Sequence, residues 1–178
     1  MTVARRRKAG HQRRHDPFKN LVGFTIADVN YAVPIKAVRE IINPLPVVAL
    51  PHAPTAVVGV ADYRGEVVPL VDMRRRLGLV EIEPSRKTKW IVLEAERGVV
   101  AIIVDGVTDV FGSQDRDVKP PPEVGGDTMR RGIEGVVSSE LGMVFVVSVS
   151  ALMDSTREAR AKALSLAPSR PPPSRESF

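Results

Sequence analysis

The sequence contains no cysteine among its 178 residues. Disulfides, cysteine-ligated zinc and thiol chemistry are therefore excluded. Aromatic residues are scarce, at 4%, against 43% hydrophobic residues overall. Aliphatic side chains must fill the core, valine foremost, and such a composition suits strands better than helices. No apolar run is long enough to cross a bilayer as a helix. The basic opening, Arg5, Arg6, Arg7 and Lys8, is followed by no apolar stretch, which argues against a secretory leader. Only 3 histidines are present. His11 and His15 belong to the basic opening, and His52 sits in the proline-locked loop Pro51-His52-Ala53-Pro54 with no convergent ligands. It reads as a surface residue, not a ligand or general base. There is no phosphate-binding glycine loop, no Gly-x-Ser-x-Gly elbow and no His-Glu-x-x-His pattern. Asp105 and Asp109 could be taken as paired carboxylates, but their strand and turn positions suit turn-formers and solvated charges. Nothing in the sequence supports an enzyme, a cofactor, a metal or a small-molecule substrate.

The formal net charge of +5 is unevenly placed. Residues 1–15 carry +6 with no acid, and residues 154–178 carry +2, which leaves −3 for the stretch between. The expected organisation is a basic disordered arm (1–17), a compact body (18–153), and a short helix with a Pro/Ser/Arg-rich disordered tail (154–178). An acidic body weighs against nucleic-acid binding by the domain itself. The arm alone could attract nucleic acid or an anionic membrane. This polyanion-binding role is the alternative function. Without interleaved aromatics, a solvating tail is the favoured reading of the arm.

Within the body, apolar runs are short and paired. Leu21 to Ile26 and Tyr31 to Pro34 flank Asp28-Val29-Asn30 and read as a hairpin. Ile35, Val38, Ile41 and Ile42 recur at three- and four-residue spacing, which predicts a short helix after Pro34. Pro44, Pro46, Pro51 and Pro54 make an extended connector. Val57 to Tyr63 and Glu66 to Val71 flank Arg64-Gly65 and give the clearest hairpin, Gly65 supplying a positive φ. Asp72 should cap a short helix from Met73 to Leu77, ended by Gly78. Lys89 to Glu94, Val99 to Val104, Val107 to Phe111, Ile133 to Val137 and Met143 to Val149 are further strands. Lys119-Pro120-Pro121-Pro122 is a stiff link, and Gly125-Gly126 marks a flexible loop. A helix should start at Ser150, and Ser155 with Glu158 has capping-box spacing for another reaching about Leu166. About nine strands in hairpins, with two or three short helices, predict an all-β fold of small antiparallel barrels.

From Phe24 onward the chain resembles the CheW family of chemotaxis coupling proteins, over roughly residues 20–153. Tyr31-Ala32-Val33-Pro34-Ile35 with Val38-Arg39-Glu40-Ile41 is similar to the family's opening segment. Pro51 and Pro54 precede Val58-Gly59-Val60 as they do there. Arg64-Gly65-Glu66-Val67-Val68-Pro69-Leu70-Val71-Asp72 resembles the signature hairpin, and Val99 to Val110 the second-half hairpin. Val118 to Pro122, Ile133-Glu134-Gly135 and Val144 to Leu152 complete the order. The resemblance implies two intertwined five-stranded SH3-like β-barrels packed around a shared hydrophobic seam, with no catalytic activity. It implies an adaptor that couples methyl-accepting chemotaxis receptors to a CheA-type histidine kinase. The expected partners are the kinase's regulatory domain and the cytoplasmic tip of the receptor, at arrays on the inner face of the membrane, and ring self-association is plausible on this basis.

The resemblance also moves Val38, Glu40 and Arg64 towards partner binding. An apolar anchor with a charged rim is usual interface anatomy, and the planar fork of Arg64 can bind carboxylates or carbonyls bidentately. From spacing alone, Val38 suits the core, Glu40 a solvated face, and Arg64 equally a structural tie between the barrels. Gly59 and Gly65 read as conformational residues near the interface, one for close packing and one for a turn. The family usually has Asn-Leu before Arg-Gly, and Asp62-Tyr63 stand here instead. Asp62 is expected to be able to pair with Arg64.

Overall fold

A computed structural model describes residues 20–112, 118–121, 132–140 and 142–166. The basic arm, the Pro/Ser/Arg-rich tail and Gly125-Gly126 lie outside these residues. Ten strands are present among the described residues. The first sheet takes β1 (Asn20–Ile26), β2 (Val29–Pro34), β8 (Gly106–Gly112), β9 (Ile133–Ser139) and β10 (Gly142–Val147), in the order β8-β1-β2-β10-β9. The second takes β3 (Val38–Ile42), β4 (Val57–Tyr63), β5 (Glu66–Asp72), β6 (Lys89–Ala95) and β7 (Gly98–Val104), in the order β3-β6-β7-β5-β4. The chain thus begins one sheet, builds all of the other, and returns to finish the first. Neighbours are antiparallel except β2–β10 and β5–β7, which run parallel.

The two five-stranded sheets are as expected, but their ladders do not close into barrels. Instead, the connector between the two end strands makes a single antiparallel bridge in each sheet. Val48, between β3 and β4, exchanges hydrogen bonds of 2.8 and 2.9 Å with Val60. Lys119, between β8 and β9, does the same with Val136 at 3.0 and 2.9 Å. A glycine precedes each bridged strand residue. A Cβ on Gly59 would lie 2.3 Å from the Val48 carbonyl oxygen, and one on Gly135 would lie 2.3 Å from Val118 Cγ1.

Strand alternation explains the near-continuous apolar runs. In β6, Ile91 and Leu93 face the large core shared by the two sheets, while Trp90 and Val92 face a smaller core inside the second sheet. In β7, Val100, Ile102 and Val104 take the shared side, and Val99 and Ala101 the private one. The first sheet repeats this with Val22, Phe24 and Ile26 against Leu21. Successive side chains point to opposite faces, so a strand with both faces buried must be apolar throughout. Phe24, Tyr31 and Phe145 form a chain of ring contacts at 5.9 and 5.8 Å in or against the shared core.

The turn chemistry is largely as the sequence suggests. Asp72 caps α1 (Met73–Arg76), its Oδ1 accepting from the amides of Arg74 at 2.7 Å and Arg75 at 3.2 Å. Gly78 follows at φ +72°. The helix expected over Ile35 to Ile42 is not formed. Ile35–Ala37 make one 3-10 turn, and β3 then pairs with β6. Its β-branched residues are poor helix formers, and the open edge of β6 offers them a ladder. Helix α2 (Val149–Ser155) is capped by Ser148, not Ser150; the Ser148 hydroxyl accepts from the Ala151 amide.

Helix α3 (Arg157–Leu166) forms, but Ser155 donates back to the Leu152 carbonyl at 2.7 Å in place of the expected capping box. The helix is docked: Ala159 joins the shared core, Arg160 donates to the Arg97 carbonyl at 2.7 Å, and Lys162 donates to the Pro51 carbonyl. Asp105 is more than a solvated turn carboxylate. It accepts three contacts from Arg74 at 2.7 to 3.1 Å and one from the Ala27 amide at 2.7 Å. One side chain thereby joins the β1–β2 turn of the first sheet to α1 beside the second. Partial burial pushes the Asp105 carboxyl upward, but the hydrogen bonds from Arg74 and Ala27 outweigh it and hold it below the usual value.

Four outcomes follow from this packing. Gly59→Val and Gly135→Val should each cost about 1–3 kcal/mol by overpacking, read from urea denaturation. Gly65→Ala, in open space at φ +80°, should cost about 1 kcal/mol. Asp105→Asn should cost about 2 kcal/mol at neutral pH. Because the folded-state value is lowered, this contribution is present above the ordinary aspartate range and is lost as pH falls through the folded value. The difference between wild type and Asp105→Asn should therefore shrink in acid. Truncation after Ser155 should lower stability by about 2 kcal/mol, measured by thermal denaturation, since it removes a packed helix.

Candidate functional site

The most connected surface cluster lies at the tip of the β4–β5 hairpin. Arg64 and Gly65 both have positive φ, +55° and +80°, as a two-residue turn matching strand twist requires. Asp62 stabilises this turn by accepting from the Gly65 amide at 2.7 Å. The expected Asp62–Arg64 pair does not form; the carboxylate that pairs with Arg64 is Glu40 of β3. Arg64 Nη2 lies 2.9 Å from Glu40 Oε1 and 2.8 Å from Oε2, and the Tyr63 hydroxyl donates to Oε2. Because β3 and β4 are the two end strands of the second sheet, these side chains reach across its open edge.

A second cation completes the cluster. Arg39 donates to Glu66 of β5 at 3.1 Å and lies 3.8 Å from Glu94 of β6. The guanidinium carbons of Arg39 and Arg64 each sit 5.5 Å from the centre of the Tyr63 ring, a cation–π arrangement. The tyrosine is only 5% exposed and belongs to the private core of the second sheet. Its polar tip reaches the surface, where the Arg64 side chain is 69% and the Glu40 side chain 35% exposed. The Tyr63 hydrogen bond holds the Glu40 carboxyl below its usual value, against a smaller upward push from burial and with help from Arg64 and Arg39. The same hydrogen bond pushes the Tyr63 phenol up, since ionisation would set a phenolate against a carboxylate.

Glu40 and Arg64 are thus brought together. Val38 is half-buried and packs on the shared core, so it is not the exposed apolar anchor expected beside Glu40. The exposed apolar residue of β3 is Ile41, with Val47 and Val48 exposed on the connector that follows. Residues 38–42, Val-Arg-Glu-Ile-Ile, carry no two-residue alternation, and their spacing fits a helix, so no local signal marked Ile41 as the exposed residue. Tyr63, Arg39 and Glu66 were not anticipated as parts of the cluster, because their meeting depends on the approach of two sheet ends. Gly59 holds the connector bridge and Gly65 the hairpin turn.

A groove of about 690 Å³ runs between the two sheets, lined among others by Lys36, Glu94, Glu134, Val149 and Met153. Burial pushes the Glu134 carboxyl up, partly offset by its hydrogen bond with Ser148. Among the described residues, no group of His, Asp and Glu converges as metal ligands do. Glu94 lines this groove and lies 3.8 Å from Arg39, so groove and cluster adjoin, and the Arg64 side chain at the hairpin tip is largely exposed.

Comparison with known proteins places this architecture. A family model described as the CheW-like domain matches residues 20–157. The chemotaxis protein CheW of Rhizobium meliloti (strain 1021) is 37% identical over 137 residues, covering 77% of this chain and 88% of the relative. A probable chemotaxis protein CheW of Rhizobium etli is 33% identical over 138 residues, covering 78% and 89%. The crystal structure of the scaffolding protein TtCheW from Thermoanaerobacter tengcongensis matches with a TM-score of 0.67 and 26% identity, over 74% of this chain and 89% of that one. With two five-stranded sheets about one core, the strand order that joins them and a collinear match across the whole body, the chain belongs to the CheW family of chemotaxis scaffold proteins.

Proposed function

We propose that this chain is a non-enzymatic adaptor that couples methyl-accepting chemotaxis receptors to a CheA-type histidine kinase. The observation that carries the reading is coverage: the CheW-like match takes in residues 20–157, nearly the whole described body. An adaptor of this kind breaks no bond. It works by complementary surfaces held rigid before the partner arrives, which lowers the ordering cost of association.

One partner is the regulatory domain of the kinase, and the other is the cytoplasmic tip of the receptor. No helix among the described residues is long and apolar enough to cross a membrane. In this reading the receptor brings the chain to arrays at the inner face of the membrane. Two sheets exposed on opposite sides of a shared core also suit repeated association into rings. The compact body at 18–153 does the coupling, with the basic arm (1–17) and the segment 154–178 flanking it.

Within the tip cluster, Arg64 is the contact residue, Glu40 its fixed companion at the rim, and Val38 their support from the core side. Gly59 and Gly65 act through conformation. Exposed ion pairs contribute little to stability, so altering this pair should act on binding far more than on folding.

The test is a pull-down and titration of the purified chain against CheA-type regulatory domains and receptor fragments. Wild type is compared with Glu40→Lys, Arg64→Glu and a deletion of residues 1–15. Binding should survive the deletion and fall at least about tenfold in both point variants, with melting temperatures within about 3 °C of wild type. Binding lost on deleting 1–15 and kept by Arg64→Glu would transfer the function to the basic arm.

A further inference from the structure

Both oxygens of Glu40 are engaged within the protein: Oε1 by Arg64, and Oε2 by Tyr63 and Arg64. A partner's lysine or arginine would meet a carboxylate with three of its about four acceptor sites already taken and with the Arg64 charge beside it. Arg64 is differently placed. Of its five N–H donors, those on Nη2 face Glu40, while Nε and Nη1 remain on a side chain 69% exposed. We infer that Tyr63 is a specificity-determining, positioning residue: by occupying Glu40 and backing Arg64, it makes the hairpin tip accept a partner's carboxylate or carbonyl oxygen and reject a partner's cation. This deepens the adaptor reading and rests on it for the identity of the natural partner.

The charged surroundings make the hydroxyl the deciding group. Arg64 faces Glu40 from the turn, and Arg39 faces it from β3 itself. Glu66 on β5 and Glu94 on β6 are drawn to Arg39. Tyr63→Phe alters none of these charges and keeps the ring that lies 5.5 Å from each guanidinium carbon. It removes only the donor that fixes Oε2. Glu40 Oε2 then gains an acceptor site open to a partner's cation, and the carboxylate that orients Arg64 loses its anchor on the second sheet.

The experiment has two arms, both on the full chain. In the first, oligoglutamate and oligolysine peptides are titrated while the Gly65 amide is followed by NMR. Wild type should respond at Gly65 to oligoglutamate and not to oligolysine, and Tyr63→Phe should gain a response to oligolysine. Identical behaviour of wild type and variant towards both peptides would overturn the inference. In the second arm, affinity for a CheA-type regulatory domain is measured at pH 7 and pH 5. Tyr63→Phe should bind about three- to tenfold more weakly, and more so at pH 5. Without the phenol, Glu40 loses the largest of the contacts that hold its carboxyl low, so the fall in affinity on acidification should begin at higher pH in Tyr63→Phe than in wild type. A role confined to stability would lower the melting temperature without this split in pH dependence, and that result would also overturn the inference. Discrimination between the peptides with no kinase binding by wild type would leave the inference standing and remove the adaptor reading.

Discussion

The structure depends on two close backbone approaches. In each sheet a connector leaves one end strand, passes beside the other, and makes one pair of hydrogen bonds with it, at Val48–Val60 and at Lys119–Val136. Each approach needs a glycine next to the bridged residue, because a side chain at Gly59 or Gly135 would occupy space already filled by the connector. An unpaired sheet edge exposes a row of donors and acceptors. The bridges partly cover the second edge without a full ladder. Side chains do the rest in the second sheet, where Glu40 of β3 meets Tyr63 at the end of β4 and Arg64 just after it.

This arrangement shapes the core. Bringing the sheet ends together gives each sheet an inside, filled by its own small cluster, and an outside that packs on the other sheet. Most central strands therefore have no wet face, and the near-continuous apolar runs of β5, β6 and β7 follow from that. Polar contacts between the halves are confined to the margins. Asp105 is the most important of them, because it satisfies the Ala27 amide and the Arg74 guanidinium at once. The same frame receives α3, whose Ala159 enters the shared core.

The proposed contact surface follows from the same constraint. The tip cluster is made of residues that meet only because two sheet ends converge, so its geometry is set by the scaffold and not by the loop alone. Arg64 sits at a turn with both residues at positive φ, over a buried aromatic ring and against a fixed carboxylate. A long side chain ordered before binding loses less freedom on binding. An adaptor acts by presenting such surfaces, and the rigidity of the second sheet is transmitted directly to them.

Much of this was legible in the sequence. Nine of the ten strands, the Arg64-Gly65 turn and the Asp72 cap are local features, fixed by alternation, turn residues and capping chemistry within a few positions. The collinear motifs also gave the family. Glu40, Arg64, Gly59 and Gly65 could be singled out, but their contacts could not. Whether Ile35 to Ile42 became helix or strand was decided by the open edge of β6, which lies about fifty residues away in the chain. Asp62 turned to the hairpin amide while Glu40 took Arg64, and Asp105 changed from a turn residue to a tie between the halves. Each of these outcomes depends on groups distant in sequence competing for the same partner. Local periodicity determines which elements can form; only the tertiary packing decides which edges, donors and charges are brought within reach of one another.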